Sequence, residues 1–349
     1  MTNTSSQQQL LCSLFKKFIE DCKSGRRPTL AGKKISKGAI TQYEIVHRLL
    51  LEYESIQLAP LRITILNSKS SRLIQTEKNY WKRFFKNFTN WLYQKKYNDI
   101  YVAAIIKTIR TFFNYLIKDK CLNIGTFHLQ FRIPNHNLIP IVLEPNQLKH
   151  LITNIEFHKS LSLKLRRTKD IFVFGCTVGL RYSDLMSLRK TNIQETEEMV
   201  YLILNTSKTG STVKIPLPKY AIEIIKKYRN KTGKFLLPRL SNTNINLNIK
   251  ELIEKAGWTY SLPKIRYRQG KSITVKTKEG KDFRFCDHIT AHTMRRTAIT
   301  TLLLLGVDEN IVRTISGHAP GSKEFYKYVA LVQNHLNKQV INAYEKMVL

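Results

Sequence analysis

The chain has 349 residues, 42% of them hydrophobic, and 58 Lys and Arg against 25 Asp and Glu give it a formal charge of +33. That length and apolar content can build two ordinary cores and exclude a disordered basic tail, while the charge points to a polyanionic partner, nucleic acid first. Five scattered cysteines, without a Cys-x-x-Cys pair, exclude a disulfide framework and a cysteine-based zinc site, and fit a reducing cytoplasm.

The polar start, MTNTSSQQQL, lacks the apolar stretch of a signal peptide, and no stretch is expected to reach the length of a membrane helix. From Gln9 to Cys22 the spacing of Leu11, Leu14, Phe15 and Phe18 predicts an amphipathic helix. Lys23 to Lys37 is basic and rich in Gly, Pro and Ser, and reads as an arm or loop, suited to phosphate contact or simply solvated. Helices follow over Ile40 to Leu51, Ser70 to Leu92 and Tyr101 to Ile117. The second carries Trp81, Phe84, Phe88 and Leu92 on one stripe, and the third repeats the pattern with Ile105, Ile109, Phe112 and Leu116. These aromatic stripes are core, not base-stacking platforms. The cations between them, Lys82, Arg83, Lys86, Lys107 and Arg110, are the candidates for DNA-backbone contact. No helix-turn-helix layout and no internal repeat are found here.

Three prolines between Phe131 and Pro145 bar regular helix, so a linker is placed over residues 134–141. A helix starts at Glu144-Pro145. The next informative stretch, RTKDIFVFGCTVGLRYSDLMSLR from Arg167 to Arg189, takes an apolar helix into a turn at Gly179. Arg181 follows, and Ser183 and Asp184 open a further helix. A nucleotide-binding loop is excluded, since no Gly-Lys-Ser/Thr follows the glycines. Tyr201 to Leu204 and Thr212 to Ile215 read as a hairpin with Lys208 near its tip and Lys214 as the fallback cation. Lys264 to Arg284 is strongly basic, a loop or second hairpin, with Arg266 and Arg268 placed to ride on DNA. Cys286, Asp287, His288 and His292 could suggest a metal cluster, but the two histidines lack a third ligand of matching geometry, and no metal is expected.

Ala291 to Val329 reads AHTMRRTAITTLLLLGVDENIVRTISGHAPGSKEFYKYV. His292 and Arg295, three apart, share a helix face, and the apolar run from Ala298 to Leu305 stops at Gly306. A short helix capped by Asp308 follows, then His318 and Phe-Tyr-Lys-Tyr. Cations, imidazoles and phenols gathered with few acids suit a phosphate better than a metal. Val332, Leu336, Val340, Ala343, Tyr344 and Met347 then form an apolar helical stripe that must be buried, in cis or on a neighbouring protomer.

His-x-x-Arg-Arg-Thr, Ser-Gly-His and the tyrosine that follows, together with Thr-x-Gly-Leu-Arg-x-Ser-Asp-Leu upstream, resemble the ordered boxes of the tyrosine recombinase (phage integrase) family, as in integrases of bacterial mobile elements. The resemblance covers residues 139–349 by motif and the earlier half by architecture only. It implies a mainly α fold with small β-hairpins (α+β): an N-terminal helix and basic arm over 1–36, a helical core-binding, DNA-clamping domain over 37–133, the linker, and a catalytic domain over 142–349 ending in a docking helix. It implies a site-specific recombinase acting on double-stranded DNA sites through a 3′-phosphotyrosyl intermediate, without ATP, metal or other cofactor, in a synaptic tetramer. Accessory DNA-bending or directionality proteins are further expected partners, with a bacterial cytoplasmic, nucleoid-associated location. By the same resemblance Arg181 and Arg295 bind the phosphate, His292 is the proton acceptor, His318 a phosphate hydrogen-bond donor, Lys208 the acid for the leaving oxygen and Asp184 a support. The family's spacing from histidine to tyrosine falls between Tyr326 and Tyr328; matching Phe325-x-x-Tyr selects Tyr328 as nucleophile, with Tyr326 the alternative. A type IB topoisomerase, or a DNA-binding factor of this fold without catalysis, are the competing readings.

Overall fold

The structure, a computed structural model, describes residues 8–66, 70–134, 136, 138–206, 212–319 and 321–348. Its strands are β1 (Gln8–Leu10), β2 (Arg62–Thr64), β3 (Ile193–Glu195), β4 (Val200–Asn205), β5 (Thr212–Pro216), β6 (Lys264–Arg268) and β7 (Lys271–Val275). They pair as β1-β2, β3-β4-β5 and β6-β7, amid a mainly helical chain. Two compact units result: Met1–Asn137 with Ile265–Val275, and Leu138–Lys264 with Lys276–Leu349.

The first unit packs α1 (Leu11–Ser24), α2 (Lys37–Ser55), α3 (Ser71–Gln94) and α4 (Asp99–Lys118). Ser36, Ser70 and Asn98 start the last three, each side chain accepting a backbone N–H that the first turn leaves unpaired. The stripes meet in one aromatic core. Phe15 of α1 lies 4.7 Å from Phe112 of α4, and Trp81 of α3 lies 4.9 Å from Phe113. The expected division between residues 36 and 37 therefore needs correction. Leu11, Phe15, Phe18, Ile19 and Cys22 are buried with α2 and α4, so α1 belongs to the same core, and the largely exposed chain from Arg26 to Ser36 is a connection within it. The membrane expectation also changes. By length and composition α4 could cross a membrane; half of it is buried, with Val102, Ile105, Ile109, Phe112 and Phe113 in the core.

The β6-β7 hairpin, encoded between helices of the second unit, belongs to the first. Its tip, Gln269 (φ 52°) and Gly270 (φ 78°), has the two left-handed residues of a tight hairpin turn. Buried Asp99 accepts both tip N–H groups, at 2.8 and 3.0 Å. Arg268 donates to the carbonyl of Lys96 at 2.8 Å, and Tyr267 stacks on His136 at 3.8 Å.

The second unit contains α5 (Pro145–Thr153), α6 (Ile155–Ser160), α7 (Leu163–Val178), α8 (Tyr182–Ser187), α9 (Lys219–Tyr228), α10 (Asn242–Lys255), α11 (Phe285–His288), α12 (Ala291–Leu304), α13 (Glu309–Ser316) and α14 (Lys323–Val348). Central to it is α7, buried from Thr168 through Cys176 with α12 and α10 against it, which explains an apolar run without a polar stripe. Gly175 permits the close approach of α12: a Cβ there would stand 2.3 Å from the Met294 sulfur. β5 alternates exposed and buried residues, and Ile215 pairs with Leu202 in the core. Thr297 on α12 accepts the Leu143 N–H at 3.0 Å and so ties the start of the unit to the helix bearing His292 and Arg295.

Candidate active site

Each arginine expected at the phosphate is placed by a local backbone device. α7 ends at Gly179, whose φ of +64° turns the chain left-handed, and Arg181 then precedes the first residue of α8. Because that turn aims the Gly179 carbonyl at α12, Arg295 donates to it at 3.0 Å. Arg295 is 3% exposed, carries a second N–H toward His318 at 3.1 Å, and has a pKa lowered from 12.5 to about 10 by burial and then by the charge of Arg181. Arg181 Nη1 is buried and, among the described residues, meets no hydrogen-bond partner. The two guanidinium groups therefore act on each other, the charge of Arg181 helping to lower the Arg295 pKa. Buried Asp184 in the first turn of α8 and the Tyr328 phenol partly offset the strain on Arg295.

His292 and Arg295 are three apart on α12, whose first turn is closed by a capping box of Thr290 and Thr293. They are not equally buried: His292 is exposed, Arg295 sealed. Lost hydration and the charges of Arg296, Arg295 and Arg181 lower His292 to about 4, and for so open a ring the arginines are the better-founded cause. His318 follows Gly317, which ends α13 in the left-handed region at φ +62°. Burial, then Arg295 and Arg181, lower it also to about 4. Both imidazoles are thus neutral near pH 7 in the free protein.

The two candidate tyrosines both lie on α14, which starts earlier than the tail stripe predicts. Phe325, Tyr328 and Val332 recur at helical spacing and pack with Ile299, Leu303 and Val312 of α12 and α13. Tyr328 is 5% exposed with its ring 6.2 Å from that of His318, whereas Tyr326 is 49% exposed and lies beneath Arg313, 5.7 Å from its guanidinium. Arg181, His292, Arg295, His318 and Tyr328 are therefore brought together; Tyr326 is turned outward.

The remaining candidates divide. Lys208 lies outside the described residues, and the fallback Lys214 on β5 sits 4.0 Å over the Tyr201 ring of β4. Lys82, Arg83, Lys86 and Lys107 are exposed on α3 and α4, opposite the aromatic core. Arg110 is half-buried near His128, whose pKa its charge lowers, Arg266 is half-buried on β6, and Arg268 is engaged with Lys96. Asp287 pairs with Arg284 and His288 contacts the Leu262 carbonyl at 2.7 Å, so each has a structural partner. Along the tail, Val332 is buried while Val340, Tyr344 and Met347 are exposed; the side chains of Leu336 and Ala343 lie outside the described set. The Gly179 carbonyl, Arg313 and Ser316 also touch Arg295, Phe325 and His318 respectively, and none is among the residues expected at the site. Only Ser316, inside the Ser-Gly-His box, carried a visible signal.

The Phage integrase family matches residues 142–335. The tyrosine recombinase XerD of Rickettsia bellii (strain RML369-C) is 25% identical over 324 residues, 90% of this chain and 94% of that protein. XerC of Rickettsia typhi (strain ATCC VR-144 / Wilmington) is 25% identical over 276 residues, 73% of this chain and 78% of that one. Among solved structures, the fold is similar to that of the XerH site-specific recombinase bound to palindromic difH substrate, with a TM-score of 0.59 at 15% identity, covering 93% of this chain and 84% of that one. A lambda integrase dimer bound to a COC′ core site gives 0.57 at 14%, covering 92% and 77%. The family match spans more than half of the sequence and contains both arginines, both histidines and both tyrosines, and the chain belongs to the Phage integrase family of tyrosine recombinases.

Proposed function

We propose that this protein cuts and rejoins DNA strands at specific sites through a tyrosine–DNA ester. The observation that carries the reading is the meeting of Arg295, His318 and Tyr328 in one buried junction of α12, α13 and α14, with Arg181 acting on both the arginine and the histidine. A DNA phosphodiester resists attack because nucleophile and phosphate oxygens repel and the leaving alkoxide is poor. Two guanidinium groups on the nonbridging oxygens stabilise the charge that grows in the transition state. Arg295 is here already desolvated and repelled by Arg181, a state that an anion relieves. The Tyr328 oxygen attacks phosphorus, the bond from phosphorus to the 5′ oxygen breaks, and the leaving oxygen takes a proton, a role suited to Lys208. The phenol proton passes to neutral His292. Asp184 supports the arginines from α8. The resulting 3′-phosphotyrosyl ester keeps the energy of the broken bond, so a 5′ hydroxyl can reverse the step without ATP.

The finer reading is integration or excision of a mobile element within a synaptic tetramer in the bacterial cytoplasm, with the exposed end of α14 docking on a neighbouring protomer. A suicide substrate, nicked so that the cleaved strand's short 5′ fragment diffuses away, tests the chemistry. Wild type should form an adduct that survives denaturation, Tyr328→Phe should not, and an adduct that persists in Tyr328→Phe would overturn the assignment. Joining of two plasmid-borne sites in cells, lost in the same variant, would carry the finer reading; strand cleavage without joining would count against it.

A further inference from the structure

We propose that Arg313 is a positioning residue that sets Tyr328 against His318 by seating the start of α14 on α13; this rests on reading both residues as part of the strand-cleaving site. The two stand on different elements. His318 follows the end of α13, and Tyr328 lies in the second turn of α14, so packing between the two helices must set their spacing.

Arg313 reaches both. Its carbonyl accepts the His318 backbone N–H at 3.0 Å and so closes the turn that carries the histidine. Its side chain, 14% exposed, runs to α14, where the guanidinium carbon lies 5.0 Å from the centre of the Phe325 ring and 5.7 Å from that of Tyr326. Glu309, one turn earlier on α13, pairs with the same guanidinium and holds it in place. Phe325 is fully buried and passes the contact on. Its ring lies 5.4 Å from His318 at 64° and 6.4 Å from Tyr328 at 73°, edge-on to each.

The residue type argues for more than filling space. Arg313 Nε is buried with no hydrogen-bond partner among the described residues, which costs free energy that an apolar side chain would avoid. A guanidinium supplies in return a flat cation that stacks on aromatic faces while its edge pairs with a carboxylate. The aliphatic contacts of α14 with Ile299, Leu303 and Val312 bury the same junction without direction. Successive residues of a helix stand about 100° apart around its axis, so a group that engages both Phe325 and Tyr326 resists rotation of α14 as well as sliding. That rotation decides where Tyr328 points. An attacking oxygen misplaced by about 1 Å can cost about a hundredfold in rate. The guanidinium of Arg313 therefore acts on the rate of attack, through Phe325, and leaves phosphate binding to Arg181 and Arg295.

The test has one arm without DNA and one with it. In the free protein, hydrogen exchange read by mass spectrometry should quicken at least about tenfold across residues 323–330 in Arg313→Ala, with residues 291–304 of α12 unchanged. On the nicked substrate at saturating protein, the same variant should form its covalent adduct about ten- to a hundredfold more slowly, with the DNA dissociation constant within about twofold of wild type. Phe325→Leu should show the same split between rate and affinity, and the double variant should be no slower than the slower single one, since both act through one contact. Where Arg313→Ala does not fold, Arg313→Lys carries the test: it keeps the charge but lacks the flat face, and should be at least about threefold slower. Unchanged exchange across residues 323–330, a wild-type rate, affinity lost in step with rate, or slowing that multiplies in the double variant would each overturn the proposal. If wild type formed no adduct at all, the strand-cleavage reading would fail, and the exchange arm would still decide whether Arg313 seats α14.

Discussion

Replacing Arg295 with methionine should abolish strand cleavage while leaving the free protein as stable as wild type or more so. Burial first and Arg181 second lower the guanidinium pKa from 12.5 to about 10. At about 1.4 kcal/mol per pH unit this corresponds to roughly 3 kcal/mol of unfavourable energy in the folded state. The sign follows from linkage: a cation whose folded pKa is depressed destabilises the fold at every pH below that pKa, so the cost is fully present at pH 7. Methionine fills similar space without the charge, but the Gly179 carbonyl loses its donor, at a cost of about 1–3 kcal/mol. The balance runs from near zero to about 2 kcal/mol in favour of the variant, and each kcal/mol is worth about 2–4 °C in a unit of this size. Thermal melts of both proteins measure it directly. Added duplex DNA should then raise the wild-type melting temperature more than that of the variant, because only the wild type has the buried charge for phosphate to neutralise. Cleavage should fall at least about a hundredfold, the scale for losing one transition-state donor. A variant that melts well below wild type without DNA would refute the reasoning, since the guanidinium would then stabilise the free fold.

Two other perturbations test the first unit. His128 is buried, stacked on Phe113 and lowered to about 4 by burial and the charge of Arg110. Between its ordinary value of 6.5 and about 4 the unfolded chain binds the proton more readily, so stability should fall as pH drops through that window, by up to about 3 kcal/mol. Urea unfolding at several pH values should show a shallower acid loss for His128→Gln; equal loss would contradict the assignment. Asp99→Ala removes the acceptor of two hairpin N–H groups, and trypsin should cut faster after Arg268 and Lys271. Unchanged cleavage kinetics there would mean that Asp99 does not hold the tip.

What the sequence discloses here, it discloses through residues with local consequences. The stripe of Trp81, Phe84 and Phe88 can be satisfied only by burial, and Gly179 before Arg181 announces a turn that no other residue takes as cheaply. The ordered boxes were legible for the same reason, and they brought Arg181, His292, Arg295 and His318 to one place. The failures were of partners distant in sequence. α1 followed by a basic, Gly- and Pro-containing stretch reads as an appendage, because its core contacts, Phe112 and Tyr115, lie 97 residues on from Phe15 and Phe18. The basic stretch after Lys264 looked like a surface element for DNA; nothing local reveals that Asp99 receives its tip or that Arg268 is held by a backbone carbonyl. Tyr326 and Tyr328 could be ordered only by a motif in sequence, whereas on α14 their different exposure follows from a helix that turns phenols two residues apart to opposite sides of its axis.

The measurement that bears most directly on the central claim is the identity of the peptide left attached to DNA after cleavage of a nicked substrate. Trypsin cuts after Lys327, so Tyr326 falls in residues 324–327 and Tyr328 in residues 328–338. Mass spectrometry of the nuclease-trimmed adduct should place the phosphate on Tyr328, within residues 328–338 or in a fragment extended across Lys327 and located by its fragment ions. A phosphate on Tyr326, or DNA that is bound and never covalently captured, would contradict the account.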